Sequence, residues 1–141
     1  MRQMTTRIVA VSIIGGVLFG VMDALINGNP LAQVLYEAYR PIAKISVDVV
    51  SGIGIDLFYG FVMAGMFLLL YRSLPGQVGL TKGISYALIV WFFRVVMQVA
   101  SQWMMFNISP VTLIYVLVTG LAEMVAIGVF YGLTLRPTIG K

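Results

Sequence analysis

The sequence predicts an all-α protein: a four-transmembrane-helix bundle with a short external amphipathic helix between the first and second spans. Three observations lead there. Of 141 residues, 60% are hydrophobic and only 10% charged, with a mean hydropathy of +1.00. Soluble domains run at about 45–50% apolar and about 25% charged residues, so this chain lacks the polar surface to cover a water-soluble globule. Four apolar stretches, at 7–26, 46–70, 82–104 and 110–135, each reach the length of about 20 residues that a helix needs to cross a bilayer. Turn and capping signals separate them, and residues 1–141 read as a single integral membrane domain.

The first span follows Arg2 and Arg7, a pattern shared with secretory signals, but it runs into Val21-Met22-Asp23-Ala24-Leu25 without a small-x-small cleavage site. It is therefore expected to be a retained helix. Asn29-Pro30 then places a capping side chain before a proline whose missing N–H costs nothing at a helix start. In the segment that follows, Leu31, Val34, Leu35 and Ala38 fall at i, i+3, i+4 and i+7, with Gln33, Glu37 and Arg40 on other faces before Pro41. This spacing predicts a short amphipathic helix that either lies on the outer membrane surface or packs as a lid across the bundle end. Leu74-Pro75-Gly76 marks a turn after the second span, Ser109-Pro110 starts the fourth, and Arg136-Pro137 ends it.

A net charge of +4 would suggest nucleic acid in a soluble protein, but in a membrane chain it serves as a topology signal, and no nucleic-acid partner is expected. Placing both termini in the cytoplasm puts Arg2, Arg7, Arg72, Lys82, Arg136 and Lys141 inside and Arg40 and Lys44 outside. The positive-inside rule then favours a multi-pass cell-membrane protein, N-in and C-in, of the bacterial inner-membrane kind.

Each span carries an ionisable residue: Asp23, then Asp56 (with Asp48 near the start of that span), Arg94 and Glu123. A charge near the bilayer centre costs a few kcal/mol or more, so such residues normally face the bundle interior and find partners. Arg94 and Glu123 both fall near mid-span and are the natural ion pair. Arg94, Gln98, Ser101 and Gln102 share one helical face, at i, i+4, i+7 and i+8. Asp56 is expected level with Gln98, and Asp23 with Gln102. Together, Asp23, Asp56, Arg94, Gln98, Gln102 and Glu123 predict a buried polar column from mid-membrane to the outer side. One reading makes it structural, fixing which helices meet. The other makes it a binding pocket or ion path.

Small residues form stripes as well. Gly16 and Gly20, Gly52 and Gly60 (flanking Asp56), and Gly128 and Gly132 recur every four residues and predict close backbone approach. Internal similarity is limited to Asn-x-x-Pro at 27–30 and 107–110 and Phe-Tyr-Gly at 58–60 and 130–132, in two different registers.

With no Cys and no His, the chain has no thiolate or imidazole for a metal, haem or nucleophilic site, so no metal, cofactor or catalytic residue is expected. Gly52-Ile53-Gly54-Ile55-Asp56 comes near the Gly-x-Gly-Asp signature of intramembrane aspartyl proteases but has an extra residue before the acid and no partner motif. The run from Tyr59-Gly60 through Leu74-Pro75-Gly76 and Lys82-Gly83 to Trp91, with Gly128 to Gly132, resembles small uncharacterised bacterial four-helix integral membrane proteins, a resemblance that implies no activity. The leading expectation is a non-enzymatic membrane subunit or scaffold, embedded in the lipid bilayer and assembling as a homo-oligomer or with other membrane subunits. The alternatives are a small transporter or channel with an outward-opening polar pocket, and a lipid- or quinone-binding protein.

Overall fold

The computed structural model describes residues 2–46 and 48–135, with side chains from residue 5 onward. The helices are α1 (Arg2–Gly28), α2 (Pro30–Leu35), α3 (Val49–Leu70), α4 (Gly79–Trp91), α5 (Met97–Met105) and α6 (Pro110–Thr134), and no strand occurs among the described residues. A 3₁₀ segment, Tyr36–Ile42, continues α2, and a π turn, Phe92–Val96, joins α4 to α5 into one rod. Four helices are thus long and apolar enough to cross a membrane, which fits a multi-pass membrane protein. Arg136, Lys141 and the proposed stop at Arg136-Pro137 lie outside the described residues, as does the side chain of Arg2.

Local chemistry sets the helix ends. The Asn29 side chain accepts from Ala32 N–H at 3.0 Å, and the Ser109 hydroxyl accepts from Val111 N–H at 3.3 Å, each ahead of a proline at the first helical position. Asp48 caps α3, accepting from the Val50 and Ser51 backbone and from the Ser51 hydroxyl. After α3 the chain turns at Gly76, whose φ of +114° suits glycine alone. Lys82 reaches back from α4 to the Tyr71 and Leu74 carbonyls, at 2.6 and 3.1 Å, neutralising the negative end of α3.

The rods pack as two antiparallel hairpins, α1 with α3 and α4–α5 with α6, and α1 also meets α6. Both hairpins cross on glycine. A Cβ at Gly60 would lie 2.7 Å from Gly16 Cα, and one at Gly132 would lie 3.1 Å from Gly83 Cα. Gly128 faces Gly83 and Ala87 in the same way. Gly83 and Gly79 therefore complete the second crossing, which the glycine stripes of the sequence did not pair. Gly52 corrects the expectation: a Cβ there meets nothing within 4 Å, so this glycine makes no close approach inside the chain. The reason is that α3 begins only three residues earlier, at Val49, where its Gly52 face looks onto an open groove.

Between the hairpins sits an aromatic core. The Tyr86 hydroxyl donates to Met63 O at 2.8 Å and the Tyr131 hydroxyl to Gly60 O at 2.9 Å, so each phenol ties one hairpin to the other. Phe67 packs its ring against those of Tyr86 and Tyr131, with centroids 5.3 and 6.1 Å apart. Arg7 donates to the Thr134 carbonyl and closes the same end of the bundle.

At the opposite end the α2–3₁₀ segment lies against α5 and α6 as a strap. It differs from the expected face: Leu31 and Val34 are exposed, whereas Ala32 is fully buried and Leu35, Tyr36 and Tyr39 turn inward. Specific hydrogen bonds decide this. Thr112 donates to Leu35 O, and Tyr115 donates to Ile26 O while accepting from Asn29 Nδ2, both at 2.7 Å. The Tyr36 ring packs edge-on against Tyr115.

Candidate polar cavity between the hairpins

Arg94 stands on the π turn. There Met97 N–H bonds to Phe92 O, five residues back, and widens the helix by one residue. Phe92 and Phe93 of this turn are exposed, while Arg94 points between the hairpins. Its guanidinium lies 4.4 Å from the Phe19 ring centre and 5.0 Å from that of Tyr59. These two rings stack on each other at 5.4 Å and 12°. The first hairpin thus offers a paired aromatic surface to a cation carried by the second.

Glu123 of α6 completes the group. Its Oε2 is 3.5 Å from Arg94 Nη1, which confirms the ion pair expected from span depth. Only 5% of Glu123 is exposed, and its Oε1 is buried with no hydrogen-bond partner among the described residues. Arg94 remains 30% exposed on its side chain, because it borders a cavity of about 420 Å³.

Five of the six residues assigned to the polar column line this cavity: Asp23, Arg94, Gln98, Gln102 and Glu123. Asp56 does not. It lines a separate groove on the outer side of the α1–α3 pair, with Asp23 bordering both. The cause is the first crossing: Gly20 leaves room for the Asp56 carboxylate, whose Oδ2 would lie 2.7 Å from a Cβ at that position. The expected single column is therefore a cavity and a neighbouring groove that meet at Asp23. Ser101, the fourth polar residue of the α5 stripe, is exposed and bonds to its own helix at Met97 O.

The strap supplies lining that sequence reasoning missed. Tyr36 and Tyr39 border the cavity, and the Tyr39 hydroxyl donates to Gln102 Oε1 at 3.0 Å. Burial pushes the Tyr36 phenol above its ordinary value, with Tyr115, Tyr39 and Asp23 adding to it, and burial raises Tyr39 likewise. Both remain neutral hydroxyls at physiological pH. Asn27, which also borders the cavity, donates to Asp23 Oδ1 at 2.9 Å. The Asp23–Asn27 spacing of four residues is the one signal that could have found it, since i and i+4 share a helix face. Phe19 and Tyr59 gave no comparable signal.

No three of the described Asp and Glu residues come together as a metal site. No protein-family model matches the chain, and no curated protein and no solved structure is significantly similar to it. The fold and site define a class only: an all-helical protein with four helices of membrane-spanning length and a polar, charge-lined cavity between two hairpins.

Proposed function

We propose that this chain is a small multi-pass membrane protein of the transporter or channel class that binds a polar solute in the cavity between its hairpins. One observation carries the reading. Glu123, a residue of the cavity lining, is almost fully buried beside Arg94, yet one of its carboxylate oxygens has no hydrogen-bond partner among the described residues. A buried polar atom left unsatisfied costs about 1–3 kcal/mol, and more for a charged group. A protein that needed only a packing contact would have little use for the surrounding Gln98, Gln102 and tyrosine hydroxyls. With N-in and C-in topology, the strap and the cavity mouth face outward, and the chain needs no catalytic residue. The position favours a solute site over the subunit reading for this cavity. The Asp56 groove, where Gly52 stands open, supports assembly with a second copy or another membrane subunit as a further role for the opposite face.

The chain has no cysteine, so Gln98→Cys gives a single reporter on an exposed lining position. In oriented vesicles, a membrane-impermeant maleimide should label it from the strap side at a rate within about tenfold of Ile45→Cys, a fully exposed strap-side reference. Labelling a hundredfold slower than at Ile45→Cys would mean a dry, structural column.

A further inference from the structure

We infer that the cavity takes a small organic cation with a primary ammonium group, held by the Glu123 carboxylate. The inference rests on the solute-site reading above and names the chemical class of its ligand. Three independent features of the lining point to this class.

The first is charge. The charged side chains among the described lining residues are Asp23 and Glu123 against Arg94, with Asp56 in the adjoining groove and Tyr36 and Tyr39 neutral. Arg94 is already engaged, with its guanidinium over Phe19 and Tyr59, Nη1 facing Glu123 Oε2, and Met124 Sδ 3.9 Å away. An anion entering here would meet uncompensated carboxylate, whereas a cation would restore balance.

The second is hydrogen-bond polarity. The orphaned buried atom is a carboxylate oxygen, which can only accept while ionised, so the ligand must donate. Gln98 makes no hydrogen bond among the described residues, and its amide oxygen offers a second acceptor in the cavity lining. A primary ammonium has three N–H groups to divide between them. Tyr36 and Tyr39 at the strap add ring surface of the kind that attracts cations.

The third is size and coordination. A cavity of about 420 Å³ is far larger than one ion needs and falls within the range of about 300–1,000 Å³ of small-molecule sites. A divalent metal would require more oxygen ligands than this lining gathers, and no cluster of three acids exists among the described residues. A short amine fits both constraints. Its source is either a soluble amine or the headgroup of an aminolipid, which present the same ammonium.

The test is calorimetric titration of the full chain in maltoside micelles with ethylammonium, acetate and ethylene glycol at fixed ionic strength. Saturable ethylammonium binding, weakened at least tenfold in Glu123→Gln and absent for acetate, is the expected result. Should Glu123→Gln fail to fold, Gln98→Trp, at an exposed position, must abolish the binding by filling the cavity. Dioleoylphosphatidylethanolamine added to the micelles separates the sources: competitive displacement of ethylammonium assigns the site to a lipid headgroup, and unchanged binding assigns it to a soluble amine. Absence of ethylammonium binding, equal binding in wild type and Glu123→Gln, or a preference for acetate or ethylene glycol overturns the inference. If that happens while Gln98→Cys labels readily, the solute cavity stands and only its cationic ligand falls. An unreactive Gln98→Cys removes both.

Discussion

Adding one methyl group at Gly60 and, separately, one at Gly52 subjects the same helix, and the same four-residue stripe, to opposite forces. At Gly60 a Cβ would lie 2.5 Å from Gly16 N and 2.7 Å from Gly16 Cα, and closer still to Ser12 O. Ordinary contacts begin near 3.4 Å. The obstacles are backbone atoms, which have no rotamer to change, so α1 and α3 must separate by about 1 Å, against packing that resists small changes of volume. That separation also strains the Tyr131 bond to the Gly60 carbonyl. Overpacking typically costs about 1–3 kcal/mol, and a backbone-to-backbone clash belongs at the upper end. At Gly52 the methyl meets open space, and replacing glycine by alanine inside a helix contributes about 0.5–1 kcal/mol in the favourable direction. The propensity gain is common to both variants and cancels, so they should differ by the overpacking cost alone, about 3 kcal/mol. Equilibrium unfolding in mixed detergent micelles, followed by far-ultraviolet circular dichroism, reads the difference directly. Equal destabilisation by Gly60→Ala and Gly52→Ala would refute the assignment of one face to the crossing and the other to open space. If the Gly52→Ala loss came with loss of native mass, it would place a second copy on that groove.

Two further perturbations test the charges. Arg94→Met alone should destabilise the protein by about 3 kcal/mol, the lower part of the range for removing one partner of a buried pair because Arg94 is partly exposed. The Arg94→Met/Glu123→Met double variant should lose less than the sum of the single losses, and a strictly additive cycle would mean that the two groups do not interact. At Asp48 the prediction concerns pH. Hydrogen bonds from the Ser51 hydroxyl and backbone, with Val50 N–H adding to them, hold this carboxyl below its ordinary value against a small opposing effect of burial. A depressed acid stabilises the fold above its unfolded value of 3.8, and that contribution is lost as pH falls through the lower folded value. Asp48→Asn keeps a capping oxygen, so its unfolding midpoint should lie below wild type at pH 6, and the gap should shrink as pH falls below 3.8. The opposite ordering would contradict the cap.

The long-range order of this protein was legible where one helix carries the signal by itself. Hydropathy located the four long helices to within a few residues, and Asn29-Pro30 and Ser109-Pro110 marked two starts because capping is decided within one turn. Span depth alone brought Arg94 to Glu123. What was not legible depends on rotation and on contacts between distant segments. The π turn shifts the face of the third rod by a residue that no periodicity reveals, and the seat of Arg94 over Phe19 and Tyr59 requires three helices at once. The strap chose Tyr36 and Tyr39 over Leu31 and Val34 because Thr112 and Tyr115 supply hydrogen bonds that an amphipathic pattern ignores.

The two hairpins use the same contact register and differ in one chemical respect. Gly60 meets Ser12 and Gly16 as Gly132 meets Gly79 and Gly83, so the two Phe-Tyr-Gly runs occupy corresponding places. The Asn-x-x-Pro matches do not correspond, because the first begins the strap and the second begins a long helix. One turn before the shared glycine, the second hairpin has Gly128 against Ala87, while the first has Asp56 against Gly20. In the second crossing, the space between helices is closed by backbone and methyl groups. In the first, part of it is filled by a carboxylate, and a groove opens beside it. The first hairpin thus carries two acids, Asp23 and Asp56, and the second a near-neutral pair, Arg94 and Glu123. Docking the hairpins brings three carboxylates toward one guanidinium. Any occupant of the space between them must answer that excess, whether it is a proton, a cation or a partner's basic side chain, and Arg94→Met, which takes away the one positive charge among the described lining residues, should sharpen the demand rather than relieve it.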